Sequence, residues 1–240
     1  MSRKSSRRGS GGRTPLTRER ILDAALALAD AEGVEGLTMR RLAAELGVEA
    51  MTIYYHVPNK DAILDALVER VVGEIEMPEP GTEWRPGLRG IAASAYEVLG
   101  RHRWATRTML GPGRNPGPMR LRYMDQILAT LADAGFEPTV ADHAYHALEG
   151  HIMGFTLWEA GMNLGTREEL QVLARAFLAQ LPAETYPSVA AHIEHHLESR
   201  RPGDEGSFAF ALDLLLDGLA RLRPRSDAPI GPDRGQRAST

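Results

Sequence analysis

From Thr17 onward apolar residues recur three and four positions apart: Ile21, Ala25, Leu28 and Ala29 fall on one face of a single amphipathic helix, and Gly33 is placed to end it. Further helical segments follow, each with its own start or stop signal. Thr38 is a good N-cap for Met39 to Leu46, and Gly47 closes that segment through left-handed geometry. A third runs from about Ala50 to His56, since Pro58 disfavours helical geometry at Val57, and Asn59 then caps a fourth through Val72. The run MPEPGTEWRPG is rich in Pro and Gly and reads as a hinge. Helical periods resume at about 87–102, 117–134, 139–161, 167–180, 186–199 and 205–222. Alternating strand patterns and fixed-period repeats are absent, so the expected fold class is all-α.

The segment from Met39 to Ile53 has a more specific shape. Ala43 is small where two helices must nearly touch, Gly47 permits the bend between them, and branched Ile53 plugs the core they share with Leu42, Leu46 and Val48. That is the spacing of a helix-turn-helix. With one face buried, Ala50, Met51, Thr52, Tyr54, Tyr55 and His56 are left largely outside. An α-helix fits a DNA major groove, where Met51 and Thr52 can meet thymine methyls and polar base edges. The hydroxyls of Tyr54 and Tyr55, the His56 imidazole and the Lys60 ammonium suit phosphate oxygens.

Charge agrees with that reading. Residues 1–60 carry ten Lys and Arg against seven Asp and Glu, leaving eighteen against twenty-five for the rest, so an overall charge of -4 hides a basic first quarter. Residues 1–15, rich in Ser, Gly and Arg, read as a disordered basic tail able to add nonspecific attraction or a minor-groove arm. Residues 224–240 are expected to form a second disordered tail. The absence of cysteine excludes a disulfide framework and thiol chemistry, and cytoplasm is the expected location. No apolar region follows the basic start and no run of eighteen apolar residues occurs, so neither signal-directed export nor a membrane span is expected.

The run GLTMRRLAAELGVEAMTIYYHVPNKDAILDAL, Gly36 to Leu67, closely resembles the DNA-binding domain of TetR-family transcriptional regulators, nearest to the tetracycline-repressor-like branch. The likeness is dense over about residues 17–70, where the turn glycine, tyrosine, histidine and lysine recur in order. Beyond it, HRWATRTMLGPGR and AGFEPTVADHAYHALEGHIMGFTLWEAG resemble the ligand-binding and dimerising half of that branch. The resemblance implies a three-helix helix-turn-helix domain, residues 16–62, linked by the fourth helix to a larger helical effector-binding and dimerisation domain, residues 63–223. It implies that Thr38, Tyr54, Tyr55, His56 and Lys60 hold the phosphate backbone, and that Arg40, Ala50, Met51 and Thr52 occupy positions that read bases. The implied partners are a double-stranded DNA operator, a small-molecule effector and a second copy of the chain; no cofactor is implied. Two departures concern the operator: Ala50 stands where the branch has a base-reading glutamine, and Met51 replaces a proline. In the second half, the histidine that meets the branch's magnesium-chelated drug falls at Met109 and another drug-contacting histidine at Glu76. A magnesium-tetracycline complex would lose its anchors, so a different and more apolar effector is expected.

Competing readings apply beyond the helix-turn-helix. Helix 139–161 is apolar on nearly every side, with Ala147, Gly150 and Gly154 clearing one face and Leu148, Ile152 and Phe155 filling another, so it is expected to be buried all round. The last helix offers Phe208, Leu212, Leu215, Leu219 and Leu222 as a matching stripe, either within one core or in a four-helix interface between two copies. Trp104, Met109, Leu110, Met124, His146, Phe155 and Trp158 are candidates to line an effector cavity, with ordinary core as the alternative. His143 and His146, and His192, His195 and His196 in HIEHH, have spacings that permit metal ligation, but no carboxylate partner is fixed nearby and a solvated face is the favoured reading. A helical metal-dependent enzyme using that cluster is the rival function, unsupported by any nucleophile elbow, phosphate loop or HExxH motif. The expected function is a ligand-responsive, sequence-specific transcriptional regulator and not an enzyme: a repressor released from a palindromic operator by a hydrophobic or aromatic small molecule.

Overall fold

A computed structural model of the chain describes residues 15–111, 115–161, 167–198 and 206–223, and every regular element among them is an α-helix. The expected tails at 1–15 and 224–240 lie, apart from residue 15, outside the described residues. The chain divides into two compact units, residues 1–68 and 69–240.

In the first unit, α1 (Arg18–Gly36) starts at Thr17, whose side chain accepts from the Arg20 amide at 3.2 Å. Ile21, Leu22, Ala25, Leu28 and Ala29 form its buried face. Gly33 breaks the helix as its sequence predicts, at φ 76°, and a further turn follows as far as Gly36. Next comes α2 (Met39–Leu46), capped by Thr38, whose hydroxyl accepts from the Arg41 amide at 3.1 Å. Gly47 ends it in the left-handed region, φ 65° and ψ 35°, and the Val48 amide donates to the Ala43 carbonyl at 3.0 Å. A Cβ on Gly47 would meet nothing within 4 Å, so backbone conformation and not space demands glycine here. The short α3 (Ala50–Tyr54) follows, and α4 (Lys60–Gly73) begins at Asn59, whose side chain accepts from the Ala62 amide at 2.8 Å. Ile21, Leu42, Ile53 and Ile63 are among the fully buried side chains.

In the second unit, α4 is followed by α5 (Trp84–Arg101), α6 (Ala105–Met109), α7 (Pro118–Asp133), α8 (Pro138–Gly161), α9 (Arg167–Gln180), α10 (Pro187–Glu198) and α11 (Gly206–Leu222). The long α8 packs against α5, α6, α7 and α11, while α9 and α10 pair with each other. Ion pairs of 2.7 Å between Arg85 and Asp217 and 2.9 Å between Arg89 and Asp213 join α5 to α11.

Three sequence expectations change. The hinge is shorter, because Pro86 lies in the first turn of α5, where its missing N–H would have had no intrahelical partner. A short helix, α6, was not predicted; its buried Thr106 and Thr108 are satisfied locally, by Thr156 Oγ1 at 3.0 Å and the Trp104 carbonyl at 2.9 Å. Within one chain α8 is not buried all round: Leu148 and Ile152 face the core, whereas Ala147, Gly150, Gly154 and Trp158 face outward. The apolar stripe of α11 likewise splits. Phe208, Leu212, Leu216 and Leu219 turn inward, while Phe210 (67% exposed), Leu214 (59%) and Leu222 turn outward.

Ile53→Ala is expected to destabilise the protein by about 2–5 kcal/mol in urea unfolding, because the site is a fully packed junction. Gly47→Ala is expected to cost about 1–2 kcal/mol through the left-handed backbone alone.

Candidate nucleic-acid interface

The candidate surface grows out of the way α2 and α3 bury their shared side. Ala43 and Ile53 are buried, and the Ile53 carbonyl accepts from the amides of His56 at 2.9 Å and Val57 at 3.0 Å, which closes α3 after little more than one turn. The helix has no side-chain cap; the Glu49 carbonyl holds the Thr52 amide at 2.9 Å. Opposite Ile53 stands the exposed row Met51 (65% exposed), Tyr54 (43%) and Tyr55 (84%), with His56 also exposed and Ala50 and Thr52 half-buried. A methionine and two tyrosines left in water are costly unless something covers them.

The neighbouring positions complete the surface. Thr38 is exposed at the N-terminus of α2, where its hydroxyl oxygen accepts from Arg41 N and its O–H stays available to donate. Arg40 is exposed, whereas the adjacent Arg41 is drawn sideways to Glu32 at 2.9 Å, a hydrogen-bonded pair that raises its pKa. Lys60 is half-buried, and its ammonium donates to the Val34 carbonyl at 2.6 Å. Sequence reasoning gave Lys60 to a phosphate alone and missed that carbonyl, twenty-six positions away. An ammonium carries three donors, so the bond to Val34 leaves two for another acceptor.

Comparison with known proteins matches this arrangement. Residues 21–67 fit the family described as bacterial regulatory proteins, tetR family, and residues 77–223 fit the tetracyclin repressor-like C-terminal domain. The chain belongs to the TetR family of bacterial transcriptional regulators. It is 32% identical over 231 residues to the HTH-type transcriptional repressor DrrR1 of Streptomyces coeruleorubidus, covering 90% of this chain and 82% of that one. It is 31% identical over 225 residues to the class A tetracycline repressor protein of Escherichia coli, covering 92% and 99%. Among solved structures, a possible TetR family regulator from Streptomyces coelicolor A3(2) superposes with a TM-score of 0.71 at 29% identity, covering 86% of this chain and 100% of that one. ActR of Streptomyces coelicolor, crystallised with actinorhodin, gives 0.68 at 29% identity, covering 87% and 99%.

This TetR-family protein is therefore a DNA-binding, ligand-responsive regulator, and its second unit is where an effector site is sought. The residues named from sequence fall in different settings. Trp104 and Met109 are buried, Met124 and Phe155 are half-buried, and Leu110, His146 and Trp158 are exposed. Of the aromatic ones, the structure brings Phe155 and Trp158 together, edge to face at 6.5 Å. His146 lies 3.6 Å from Asp142 on the outside of α8. The side chain of His196 falls outside the described residues, and no group of three or more metal-ligating side chains occurs among those described.

Sequence reasoning missed a set of polar groups, buried Tyr123 and half-buried Tyr96, Tyr145, Glu149, His151 and Glu159, that the TetR-family fold brings together in this unit. Tyr123 donates to Glu149 Oε1 at 2.5 Å, and burial raises the pKa of both groups. Burial, then the Glu149 charge, pushes Tyr145 up to about 12. Tyr96 donates to Glu159 Oε1 at 2.6 Å and stacks on Phe208 at 4.0 Å. His151 stacks on the same ring at 4.6 Å and donates from Nε2 to the Phe208 carbonyl at 3.0 Å; burial lowers its pKa. The signal was present: Glu149 and Glu159 are carboxylates in the α8 sequence, three or four positions from residues of its buried face.

Tyr55→Phe is expected to leave thermal unfolding unchanged while weakening duplex binding about tenfold, as loss of one hydrogen bond to a charged acceptor requires. Gel-shift titration beside a melting curve checks both halves.

Proposed function

We propose that the chain is a dimeric repressor that binds a palindromic operator through α3 and is released when a hydrophobic or aromatic small molecule enters the second unit. The exposed Met51, Tyr54 and Tyr55 row, held rigidly by buried Ile53, is the observation that carries the reading. On it, Arg40, Ala50, Met51 and Thr52 face base edges, and Thr38, Tyr54, Tyr55, His56 and Lys60 face phosphates. Residues 16–62 then serve DNA, and residues 63–223 serve the effector and the second copy. The half-buried Glu149 and Glu159, each already accepting from a tyrosine, add hydrogen-bonding chemistry beside the aromatic side chains, which fits an aromatic effector bearing polar groups. Such a protein works in the cytoplasm and has no catalytic role.

The outward faces of α8 and α11 support the dimer. Gly150, Gly154 and Gly218 lie within helices where a Cβ would meet nothing within 4 Å. Each costs about 1 kcal/mol relative to alanine in a helix, and nothing among the described residues requires it. Close approach of a second copy does, and Phe210, Leu214 and Trp158 supply the apolar surface to be covered. An isologous pair presents its two α3 helices symmetrically, as an inverted repeat requires. Release follows from linkage: an effector that prefers a conformation with the reading heads at another separation lowers operator affinity by its differential binding free energy.

Selection from random duplexes with the purified protein is expected to return an inverted repeat with half-sites about one helical turn apart. Equal recovery of all sequences overturns the reading. Gly154→Leu is expected to sediment as a 26.3 kDa monomer and to lose roughly hundredfold in operator affinity.

A further inference from the structure

Arg120 and Tyr123 stand one turn apart on α7, Tyr145 and Glu149 stand one turn apart on α8, and the two helices pack against each other. Buried Tyr123 donates to Glu149 Oε1, while Arg120, Tyr145 and Glu149 are half-buried. Burial and the Glu149 charge raise the pKa of Tyr145, and the Arg120 charge opposes them. Burial raises the pKa of Glu149 as well, against the Tyr123 hydrogen bond and the charges of Arg120 and His146. The four side chains therefore lie within electrostatic reach of one another. Arg120 is steadied from a third element, donating to the Met109 carbonyl at the end of α6 at 3.1 Å.

Much of this cluster's hydrogen-bonding capacity is unspent. Among the described residues, Glu149 Oε2 and the Tyr145 hydroxyl have no hydrogen-bond partner, and the Arg120 guanidinium engages one of its five N–H donors. No buried side-chain nitrogen or oxygen among those residues lacks a partner, so Oε2 and the Tyr145 hydroxyl reach solvent. The Tyr123 bond alone would pin α7 to α8. The second carboxylate oxygen, the Tyr145 hydroxyl and the spare guanidinium donors add nothing to that pin. A carboxylate half withdrawn from water gains from any donor that arrives, and an arriving acceptor finds two kinds of donor beside it.

We propose that Glu149, Tyr145 and Arg120 form a subsite for a neutral phenolic ketone, whose hydroxyl donates to Glu149 Oε2 and whose carbonyl accepts from the Tyr145 hydroxyl and the Arg120 guanidinium. As the anchor of the effector, the subsite rests on the regulator reading above and gives that effector its chemical class. Arg120 and Glu149 offset each other's charge, so a ligand carrying a full charge of either sign would leave one of them opposed. Half-buried Met124, one turn beyond Arg120 on the same face of α7, offers adaptable apolar surface to the ligand's ring.

The test is calorimetric titration of the full chain, without DNA, with 3-hydroxybenzophenone and with its methyl ether, 3-methoxybenzophenone, which keeps the rings and the carbonyl and loses the donor. In the parent the phenol is expected to bind about tenfold more tightly than the ether, as a hydrogen bond to a charged acceptor requires. Glu149→Gln, which keeps an acceptor for Tyr123 and removes the charge, is expected to weaken the phenol about fivefold and to leave the ether unchanged. A purely structural role for Glu149 would weaken both alike. Tyr145→Phe is expected to weaken both probes about threefold, since both carry the carbonyl, with thermal unfolding unchanged. The cationic 3-(aminomethyl)benzophenone and the anionic 3-benzoylbenzoate are each expected to bind at least about tenfold more weakly than the phenol. Failure of the phenol to bind, equal affinity of phenol and ether in the parent, equal loss of both in Glu149→Gln, or tighter binding of either charged probe overturns the proposal. If the phenol binds as expected yet leaves the chain on a selected operator, the release mechanism fails and the subsite stands.

Discussion

A five-residue helix has no stability of its own, so the outward surface of α3 depends on the burial of Ile53. That buried side chain lies where α3 packs on α2, and the left-handed bend at Gly47 sets the angle at which the helix arrives. Once Ile53 is inside, Met51 and Tyr55 must be outside, because a helix places residues two apart on different faces. The proposed DNA-reading surface is the complement of a packing decision made at one isoleucine.

The second unit solves a different problem. The long helix α8 is half covered by its own chain, and its exposed side carries Ala147, Gly150 and Gly154 beside Asp142, His143, His146 and Trp158. The glycines there give up helix propensity, and a Cβ at either would meet nothing within 4 Å among the described residues. The same helix carries half-buried Glu149 and Glu159 to tyrosine partners on its covered side, and on the proposed reading its exposed side meets a second copy. In α11 the split is equally clean, with Phe208 and Leu212 inside and Phe210 and Leu214 outside.

Local signals were legible in the sequence, and long-range ones were not. Thr38, Gly47 and Asn59 act within three or four residues of themselves, so the boundaries of α2 and the start of α4 could be read directly. The exposed tyrosines followed from helical spacing around Ile53. By contrast, α6 has five residues and no side-chain cap, leaving no period to detect. The outer face of α8 looked like core because glycine and alanine are apolar, and leucine on both sides of α11 left its register open. Lys60 on Val34 and Glu69 on α7 join residues twenty-six or more positions apart, and neither leaves a local trace. For the effector, the sequence offered apolar candidates scattered over buried and exposed positions, while the carboxylates inside the unit came from the fold.

The claim that the outward face of α3 enters a major groove can be tested at a single atom, because the chain contains no cysteine. Met51→Cys carrying a DNA-cleaving chelate gives a unique tether on that face. On a selected operator, the account predicts cleavage in two clusters centred about 34–36 Å apart, one helical turn on the duplex. Cleavage scattered evenly along a bound operator, or none at all while the operator stays bound, would contradict it.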